Sequence, residues 1–300
     1  MKLRDFHKDE RGNIILIAAF LMLVLTAFAG LVVDGGHLYM SKANLQKAAN
    51  AAALSGGQEL TTNAGEPVTN IVKGILDAHD VLPYLRSINV TPEKSVAVHL
   101  NEPVALFFSS IIGFDEVDVK VKATVEVGKM GRASGAAPIG IDDSIPLIYG
   151  NEYTLKVDET AGDTGYFGAL ALEGPGAKLY EQNLMYGFDG EIKIGDIINT
   201  QTGNIAGPTK TAVDYLISTC SDMNARDCPR VLLIPVYVPY NQDSNQMKQV
   251  KITGFAYFYI SEPMNTHDKT IKGVFLKRVG TGFQLDDASE KGAYTIRLVE

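Results

Sequence analysis

An uninterrupted run of uncharged, mostly apolar residues constrains this chain more than any other feature. It extends from Ile14 to Val33 and therefore contains 20 residues. At a rise of about 1.5 Å per residue, a helix of this length spans about 30 Å, the thickness of the hydrocarbon core of a bilayer. A core helix of a soluble protein rarely extends so far without a charged or strongly polar group, so the run predicts a transmembrane helix.

The charges on either side of this run predict its orientation. Four basic residues precede it: Lys2, Arg4, Lys8 and Arg11. Asp34 follows it directly, and the next basic residues, Lys42 and Lys47, lie farther along. Because cytoplasmic flanks carry the excess of Lys and Arg, we expect a cytoplasmic N-terminus and an extracytoplasmic bulk of the chain.

Two kinds of N-terminal processing compete with a retained anchor. Residues 27–29 fit the small-x-small pattern of a signal-peptide cleavage site. The apolar run continues beyond them to Val33 without a turn-forming break, which favours retention. Prepilin-type cleavage after Gly12 calls for a Glu five residues later, where this chain has Ile17. We therefore predict a retained anchor rather than a pilin-like mature N-terminus.

The helix is expected to continue outside the membrane. The segment from His37 to Leu54 is rich in helix-forming residues and contains no Pro, and Gly56 and Gly57 predict its end. Small and leucyl side chains recur along it and form candidate helix-packing positions, with a small-xxx-small pair inside the run: Thr26, Gly30, Leu38, Leu45, Ala48 and Ala52. These side chains could pack on the protein's own outer domain or on a partner helix, and the sequence leaves both interpretations open.

These motifs together resemble a known family. Arg-Gly at residues 11–12, the apolar run, a Val-Asp-x-Gly-x-Leu-Tyr-like segment at 33–39 and a Leu-Gln-x-Ala-Ala-rich segment at 45–56 follow one order and spacing. That order resembles the N-terminal segment of the TadE/TadG-like proteins of the Tad (Flp) pilus-assembly system, over about residues 11–60. Asn50 and Ser55 replace the Asp and Ala that are usual in the family. The resemblance implies a bacterial envelope protein associated with Flp pilus assembly or a related surface apparatus.

The alternation of apolar and polar residues predicts an α+β protein. We expect an N-terminal transmembrane helix extended outside the membrane, a small pilin-like α/β unit and a mainly β C-terminal domain. The expected divisions are a cytoplasmic N-terminus (1–13), the transmembrane helix (14–33), its extracytoplasmic extension (34–57), the small α/β domain (58–128), a linker (129–138) and the mainly β domain (139–300).

Individual elements follow from the same patterns. The predicted helices are Thr69–Leu85, Pro103–Gly113 and, as the one helix of the C-terminal region, Thr209–Thr219. The predicted strands are Ser87–Val90, Val96–Leu100, Val117–Val127, Tyr153–Val157, Phe167–Leu172, Val231–Val238, Val250–Ser261, Lys272–Arg278 and Tyr294–Val299. The Gly-rich segment from Gly128 to Pro138 is the predicted linker.

Two cysteines, Cys220 and Cys228, enclose a short polar loop. In an oxidising exterior a disulfide is the natural interpretation, and a metal site would need further Cys or His ligands that do not lie close in sequence. We expect no metal and no cofactor.

The sequence contains no recognisable catalytic motif. Neither a Gly-x-Ser-x-Gly elbow nor a His-Glu-x-x-His pair occurs, and the adjacent carboxylates at 142–143 and 286–287 are typical of solvated turns. A net charge of −8 argues against nucleic-acid binding. We predict a non-enzymatic structural or assembly subunit whose partners are the lipid bilayer, envelope or pilus-assembly proteins, and further copies of itself.

An anchored binding module for cell-wall carbohydrate or peptide is the alternative function. Its candidate contacts are four tyrosines, for which core packing is an equally good explanation: Tyr149, Tyr153, Tyr237 and Tyr240. A hydrolase whose site assembles from distant residues is a third hypothesis.

Overall fold

The computed structural model describes residues 11–61, 67–156, 167–201, 205–243, 246–265 and 267–299. Within these ranges the four α-helices are Arg11–Gln58 (α1), Val68–Ala78 (α2), Ala177–Tyr186 (α3) and Ala206–Thr219 (α4). Two short 3-10 helices span Leu82–Tyr84 and Ser109–Ile112. Lys2, Arg4, Lys8 and Val157, on which sequence predictions depend, lie outside the described residues.

The strands found in the same ranges form two sheets. They are Leu85–Thr91 (β1), Ser95–Ala105 (β2), Glu116–Ala133 (β3), Ile139–Asp142 (β4), Glu152–Lys156 (β5), Phe167–Ala169 (β6), Ile192–Lys193 (β7), Ile197–Asn199 (β8), Val231–Asp243 (β9), Gln246–Ile260 (β10), Thr270–Leu276 (β11), Arg278–Val279 (β12), Phe283–Gln284 (β13), Ser289–Glu290 (β14) and Ala293–Val299 (β15). The predicted α+β class, with a C-terminal region made mainly of strands, is confirmed.

Helix α1 is one continuous element of 48 residues. It contains no Pro, and strong helix formers flank its two Gly-Gly pairs, at 35–36 and 56–57, so no residue forces an interruption. Among the described residues it is the one helix long and apolar enough to cross a membrane. Nearly all side chains from Ile14 to Val33 are exposed, whereas the side chains near the other end of the helix are buried.

The first sheet carries the outer half of α1 on one face. Its strands are ordered β1-β2-β3-β15-β12, with β7 and β13 also paired to β3. Alternate side chains of β2 point toward α1 and α2, as the period of a strand requires. The resulting core combines small helix residues with β-branched strand residues, among them Leu45, Ala49, Ala52, Ala53, Val72, Leu76, Val96, Val98, Leu100 and Val125.

Two glycines allow α1 to approach this sheet closely. Gly56 and Gly57 were predicted to end the helix, but α1 continues through Gln58. A Cβ atom on Gly56 would lie 2.7 Å from Val72 Cγ2, and one on Gly57 would lie 2.6 Å from Val125 Cγ1. The pair therefore serves close packing at the end of the helix as well as its termination.

The predicted linker at 129–138 is corrected in its first part. Residues 129–133 belong to strand β3, which pairs there with β7, β13 and β15. The glycines that suggested a linker instead allow side chains to approach the strand: a Cβ on Gly131 would lie 2.3 Å from Leu285 Cβ. The last strand of the chain, β15, also returns to the first sheet, with Leu298 opposite Val125.

Three predictions about helices are also corrected. The predicted helix from Pro103 to Gly113 is instead the end of β2 followed by a 3-10 turn. Pro103 is tolerated because β1 pairs only with residues 95–100 of β2. The edge of β2 that faces away from β3 therefore has no partner strand at Pro103. The helix predicted to reach Leu85 ends at Ala78, close to Asp80, whose φ is 58°. The prediction that Thr209–Thr219 is the one helix of the C-terminal region is wrong, because helix α3 lies there as well.

The second sheet is ordered β5-β11-β10-β9-β4-β6, with β8 and β14 also paired to β10. Helices α3 and α4 cover one face, where Leu184, Leu216 and Ile234 belong to the same buried cluster. The other face packs against the far end of β3, where Met130 and Tyr237 are buried together. The long strand β3 therefore contributes to the cores on both sides of the molecule.

Candidate functional site

Asp34 lies directly after the apolar run and caps a loop of the first sheet. Its Oδ1 accepts hydrogen bonds from the amide nitrogens of Phe107 at 2.8 Å and Phe108 at 3.2 Å. Its Oδ2 accepts from Phe108 N at 3.1 Å, Ser109 N at 2.7 Å and Ser109 Oγ at 2.7 Å. A single buried carboxylate thereby satisfies three successive backbone donors at the start of the 3-10 turn.

The environment of Asp34 stabilises its charged form. Burial alone raises the pKa of the carboxyl, but the hydrogen bonds from Ser109, Phe107 and Phe108 outweigh that effect and lower the pKa from 3.8 to about 2. Asp34 is therefore ionised at any physiological pH. The charge holds the loop against the point where α1 leaves the apolar run.

Two aromatic side chains of the same loop lie against α1. A Cβ on Gly30 would lie 2.7 Å from both Cβ and Cγ of Phe108, so only glycine admits this ring at that position. The ring of Phe107 lies 5.2 Å from the His37 ring, centroid to centroid. Contacts on both sides of Asp34 thus attach the loop to about two turns of the helix.

This loop is the tip of the β2–β3 hairpin, and we call residues 106–114 the hairpin tip. Leu106 N donates to Asp115 O at 2.9 Å and closes it. Three of its large apolar side chains are more than half exposed in the isolated chain: Phe107 by 62%, Ile111 by 81% and Phe114 by 63%. The site therefore combines a buried ionic cap with an exposed apolar surface.

The six predicted helix-packing residues fall into two groups. Leu45, Ala48 and Ala52 are buried on the protein's own outer domain, so they are not available to a partner helix in this structure. Leu38 is half-buried beside the same core. The remaining two are the membrane pair: Thr26 is exposed and its hydroxyl donates to Met22 O at 2.8 Å, while Gly30 is covered by Phe108.

The two cysteines join the end of α4 to the start of β9. A disulfide links Cys220 and Cys228, with 5.5 Å between their Cα atoms. The buried Arg230 donates from Nη1 to Cys220 O at 2.8 Å. Arg226, inside the disulfide loop, forms an ion pair with Glu59, just past the end of α1. This loop therefore connects the second sheet's domain to the outer end of the anchor helix.

The carboxylates at 142–143 have structural partners, and Asp286 Oδ1 accepts a hydrogen bond from Gln284 Nε2 at 3.3 Å. Asp142 is buried and its Oδ1 accepts from Ser144 N at 2.8 Å, and Asp143 Oδ2 accepts from Ser289 Oγ at 2.5 Å. Lys291 Nζ lies 3.3 Å from Asp143 Oδ1. Across the described ranges, no group of three or more His, Cys, Asp and Glu side chains could hold a metal ion.

The four tyrosines considered as wall-binding contacts do not form one surface. Tyr237 is fully buried, and burial followed by the charge of Asp142 raises its pKa. Tyr149 and Tyr153 are half-buried, and Tyr153 packs edge-on against Phe275 at 5.0 Å. Tyr240 alone is more than half exposed.

Sequence reasoning noted Asp34 only as a charge that follows the apolar run, and it missed its role as a cap. One signal was available. A carboxylate placed directly at a predicted membrane exit, inside a Val-Asp motif, needs a local partner, because burial of an unpaired charge is costly. The partner could not be named from sequence, since the hairpin tip is 73 residues away along the chain.

Comparison with known proteins gives one match. Residues 12–59 match the family described as "Putative Flp pilus-assembly TadE/G-like". The resemblance predicted for the N-terminal segment is confirmed, and the match covers almost all of α1, including Gly30, Asp34 and the buried outer half. No curated protein and no solved structure matches the chain.

Proposed function

We propose that this protein is a membrane-anchored, non-enzymatic component of a bacterial envelope apparatus related to Flp pilus assembly. Residues 14–33 span the membrane once, the N-terminus is cytoplasmic, and the sheets lie on the extracytoplasmic side. The outer domains act as a structural or assembly subunit that contacts other envelope or pilus-assembly proteins.

The division of α1 into two halves is the observation that carries this proposal. Its first half exposes a belt of large apolar side chains, with Leu23 exposed by 68%, whereas Leu45 in its second half is exposed by 1%. A soluble protein cannot leave so large an apolar surface in water, but a bilayer covers it. The same rigid helix then connects the membrane to the core of the outer domain, and the family match spans both halves.

The disulfide and the charges that flank the apolar run support the proposed orientation of the chain in the membrane. A Cys220–Cys228 bridge is stable in an oxidising compartment and not in the cytosol. The basic flank at the N-terminal side of the run agrees with it, since Lys and Arg accumulate on the cytoplasmic side. Both features favour an extracytoplasmic position for the two sheets.

A structural role fits the polar groups better than catalysis or wall binding. Asp34, Asp143 and Arg230 all have partners that fix the fold. The wall-binding alternative loses its aromatic platform because Tyr237 is buried and Tyr153 packs in the core of the second domain.

Protease protection of the full chain, tagged at its C-terminus, tests the topology. We expect external protease to remove the tag in spheroplasts and to leave it intact in sealed inverted vesicles. N-terminal sequencing of the same material should find residue 1 or 2. Protection in spheroplasts, or a mature N-terminus at Asn13, would contradict the retained, outward-facing anchor.

Crosslinking in the native host tests the assembly role. We expect crosslinked products that contain envelope or pilus-assembly proteins, and loss of surface filaments or of the related apparatus when the gene is deleted. Recovery of the protein alone, together with an unchanged cell surface in the deletion strain, would contradict an assembly role even if the topology is correct.

A further inference from the structure

We propose that the hairpin tip, residues 106–114, is a second membrane contact that lies in the outer-leaflet interface beside α1 and holds the outer domain against the bilayer. This inference rests on the proposed function, because it requires residues 14–33 to span the membrane. It adds a lipid-facing surface that is far from the anchor in sequence.

The position of the tip follows from two measurements along the molecule. Asp34 and Gly56 are separated by 22 residues of α1, or about 33 Å at 1.5 Å per residue. Strand β2 begins beside Gly56, because a Cβ on Gly56 would lie 3.5 Å from Val96 Cγ1. From Val96 the chain extends for 11 residues, or about 36 Å at 3.3 Å per residue, to Phe107, whose amide nitrogen donates to Asp34. The hairpin therefore runs back along α1 toward the membrane, and its tip is at the membrane end of the domain.

The depth of the tip follows from its contact with the apolar run. Phe108 packs on Gly30, which lies four residues before Asp34 and so about 6 Å farther toward the bilayer centre. Interfacial segments bury their apolar faces about 5–10 Å into the boundary between headgroups and acyl chains. The ring of Phe108 is already at that depth if α1 spans the membrane.

The chemistry of the tip matches this location. No charged residue occurs from Pro103 to Phe114, and the next charged residues, Glu102 and Asp115, mark the limits of the segment. Ile111 and Phe114 extend from it into the surroundings, since both are more than half exposed. Clustered large apolar side chains mark an interaction surface, and phenylalanine and leucine are typical of the membrane-facing side of interfacial segments.

Lipid is the occupant that the structure favours over a second copy of the chain. The tip is continuous with the exposed apolar belt of α1, through the contact of Phe108 with Gly30, so one bilayer covers both surfaces together. The flanking carboxylates Glu102 and Asp115 bring no attraction to anionic lipids. The contact should therefore form on neutral phosphatidylcholine and should not weaken with added salt.

The absence of tryptophan from the sequence permits a clean test. Single-tryptophan variants Ile111→Trp and Phe114→Trp place a fluorophore in the tip, and both sites are open enough to accept it. Tyr240→Trp is the matched control on the second domain, where the side chain is also exposed. Leu23→Trp is the probe of the anchor itself. Each full-length variant is reconstituted in phosphatidylcholine bilayers with bromine near the carbonyl end of the acyl chains.

We expect the two tip probes to emit at shorter wavelength than Tyr240→Trp, to lose severalfold more emission to brominated lipid, and to be protected from acrylamide. Strong acrylamide quenching without bromolipid quenching at both tip positions would overturn the proposal. Protection from acrylamide without bromolipid quenching would also overturn it, because protein rather than lipid would then cover the tip.

If Leu23→Trp is not quenched by bromolipid carried deep in the acyl chains, the anchor and thus the proposed function fail. If Leu23→Trp is quenched and the tip is not, only this inference fails.

Discussion

The two halves of α1 have the same secondary structure and opposite surroundings. From residue 14 to 33 the helix exposes large apolar side chains around its circumference, and Gly30 in this stretch lies against Phe108 of the hairpin tip. From Leu45 onward it presents alanines and glycines to the sheet, and these small residues are fully buried. Large side chains are thus used where lipid can adapt to them, and small ones where a rigid sheet must come close.

This difference shows that one helix can be adapted to two different surroundings, a lipid bilayer and a protein core. A bilayer is fluid, so hydrophobicity and length are sufficient for the first half. A protein core is close-packed, so the second half also needs matching shapes, which the contacts of Gly56 and Gly57 with valines provide. Substitutions of the same type should therefore have different effects in the two halves.

Leucine truncation should give the largest contrast. We expect Leu45→Ala to lower the free energy of unfolding of the outer domain by about 2–5 kcal/mol, because it leaves a cavity among helix α1 and its sheet. Leu23→Ala is the matched control and should leave that free energy unchanged. Denaturant unfolding in detergent micelles, followed by circular dichroism, measures both. An equal loss for the two variants would mean that the first half also packs on protein.

Removal of the disulfide tests whether a bridge in the C-terminal region, far from α1 in sequence, contributes to the stability of the outer domain. Replacing both cysteines, as Cys220→Ser with Cys228→Ser, should lower the free energy of unfolding by about 2–3 kcal/mol, because the closed loop restricts the unfolded chain. Adding reductant to the unmodified protein should give the same loss. If neither treatment changes stability or electrophoretic mobility, the cysteines are not bridged in the protein as isolated.

Glycine-to-alanine substitution should give a smaller contrast, between the buried end of α1 and Gly35, which lies just beyond the apolar run. A methyl group on Gly57 meets Val125 at 2.6 Å, so Gly57→Ala should destabilise the domain by about 1–3 kcal/mol. Nothing lies within 4 Å of a Cβ on Gly35, so Gly35→Ala should be neutral or stabilise the helix by up to about 1 kcal/mol. The same unfolding measurement applies. Tolerance of Gly57→Ala would mean that the helix and sheet can move apart there.

The first half of α1 was predictable because one property, an apolar run of sufficient length, determines it. The strands β1, β2 and β3 were also found, since their side chains alternate with a period of two. Helix α3 was missed because it is only ten residues long and lies between Gly176 and Gly187, in a region where turn-forming residues favoured strands and loops.

Contacts between distant parts of the chain could not be predicted. The addition of β15 to the first sheet depends on a pairing that no local pattern encodes. The cap that Asp34 forms on the hairpin tip depends on backbone amides, which every residue except proline carries. The side chains of the tip therefore give no sign of it. The misassigned helix at the tip has the same origin, because an apolar run of that length fits a helix or an exposed loop equally well.

The cap at the boundary between the two halves should give the smallest effect, visible as a dependence on pH. The pKa of Asp34 is lowered from 3.8 to about 2, so its contribution to stability is fully present above pH 3.8 and is lost as the pH falls through about 2. Asp34→Asn keeps the shape but removes the charge that accepts from Phe107, Phe108 and Ser109. The unmodified protein should therefore be more stable than the variant at neutral pH, and the difference should shrink between pH 4 and pH 2. Because the difference is taken between the free energies of unfolding of the two proteins, the titration of all other carboxyl groups cancels. A difference that does not change with pH would mean that the charge of Asp34 does not hold the hairpin tip to α1.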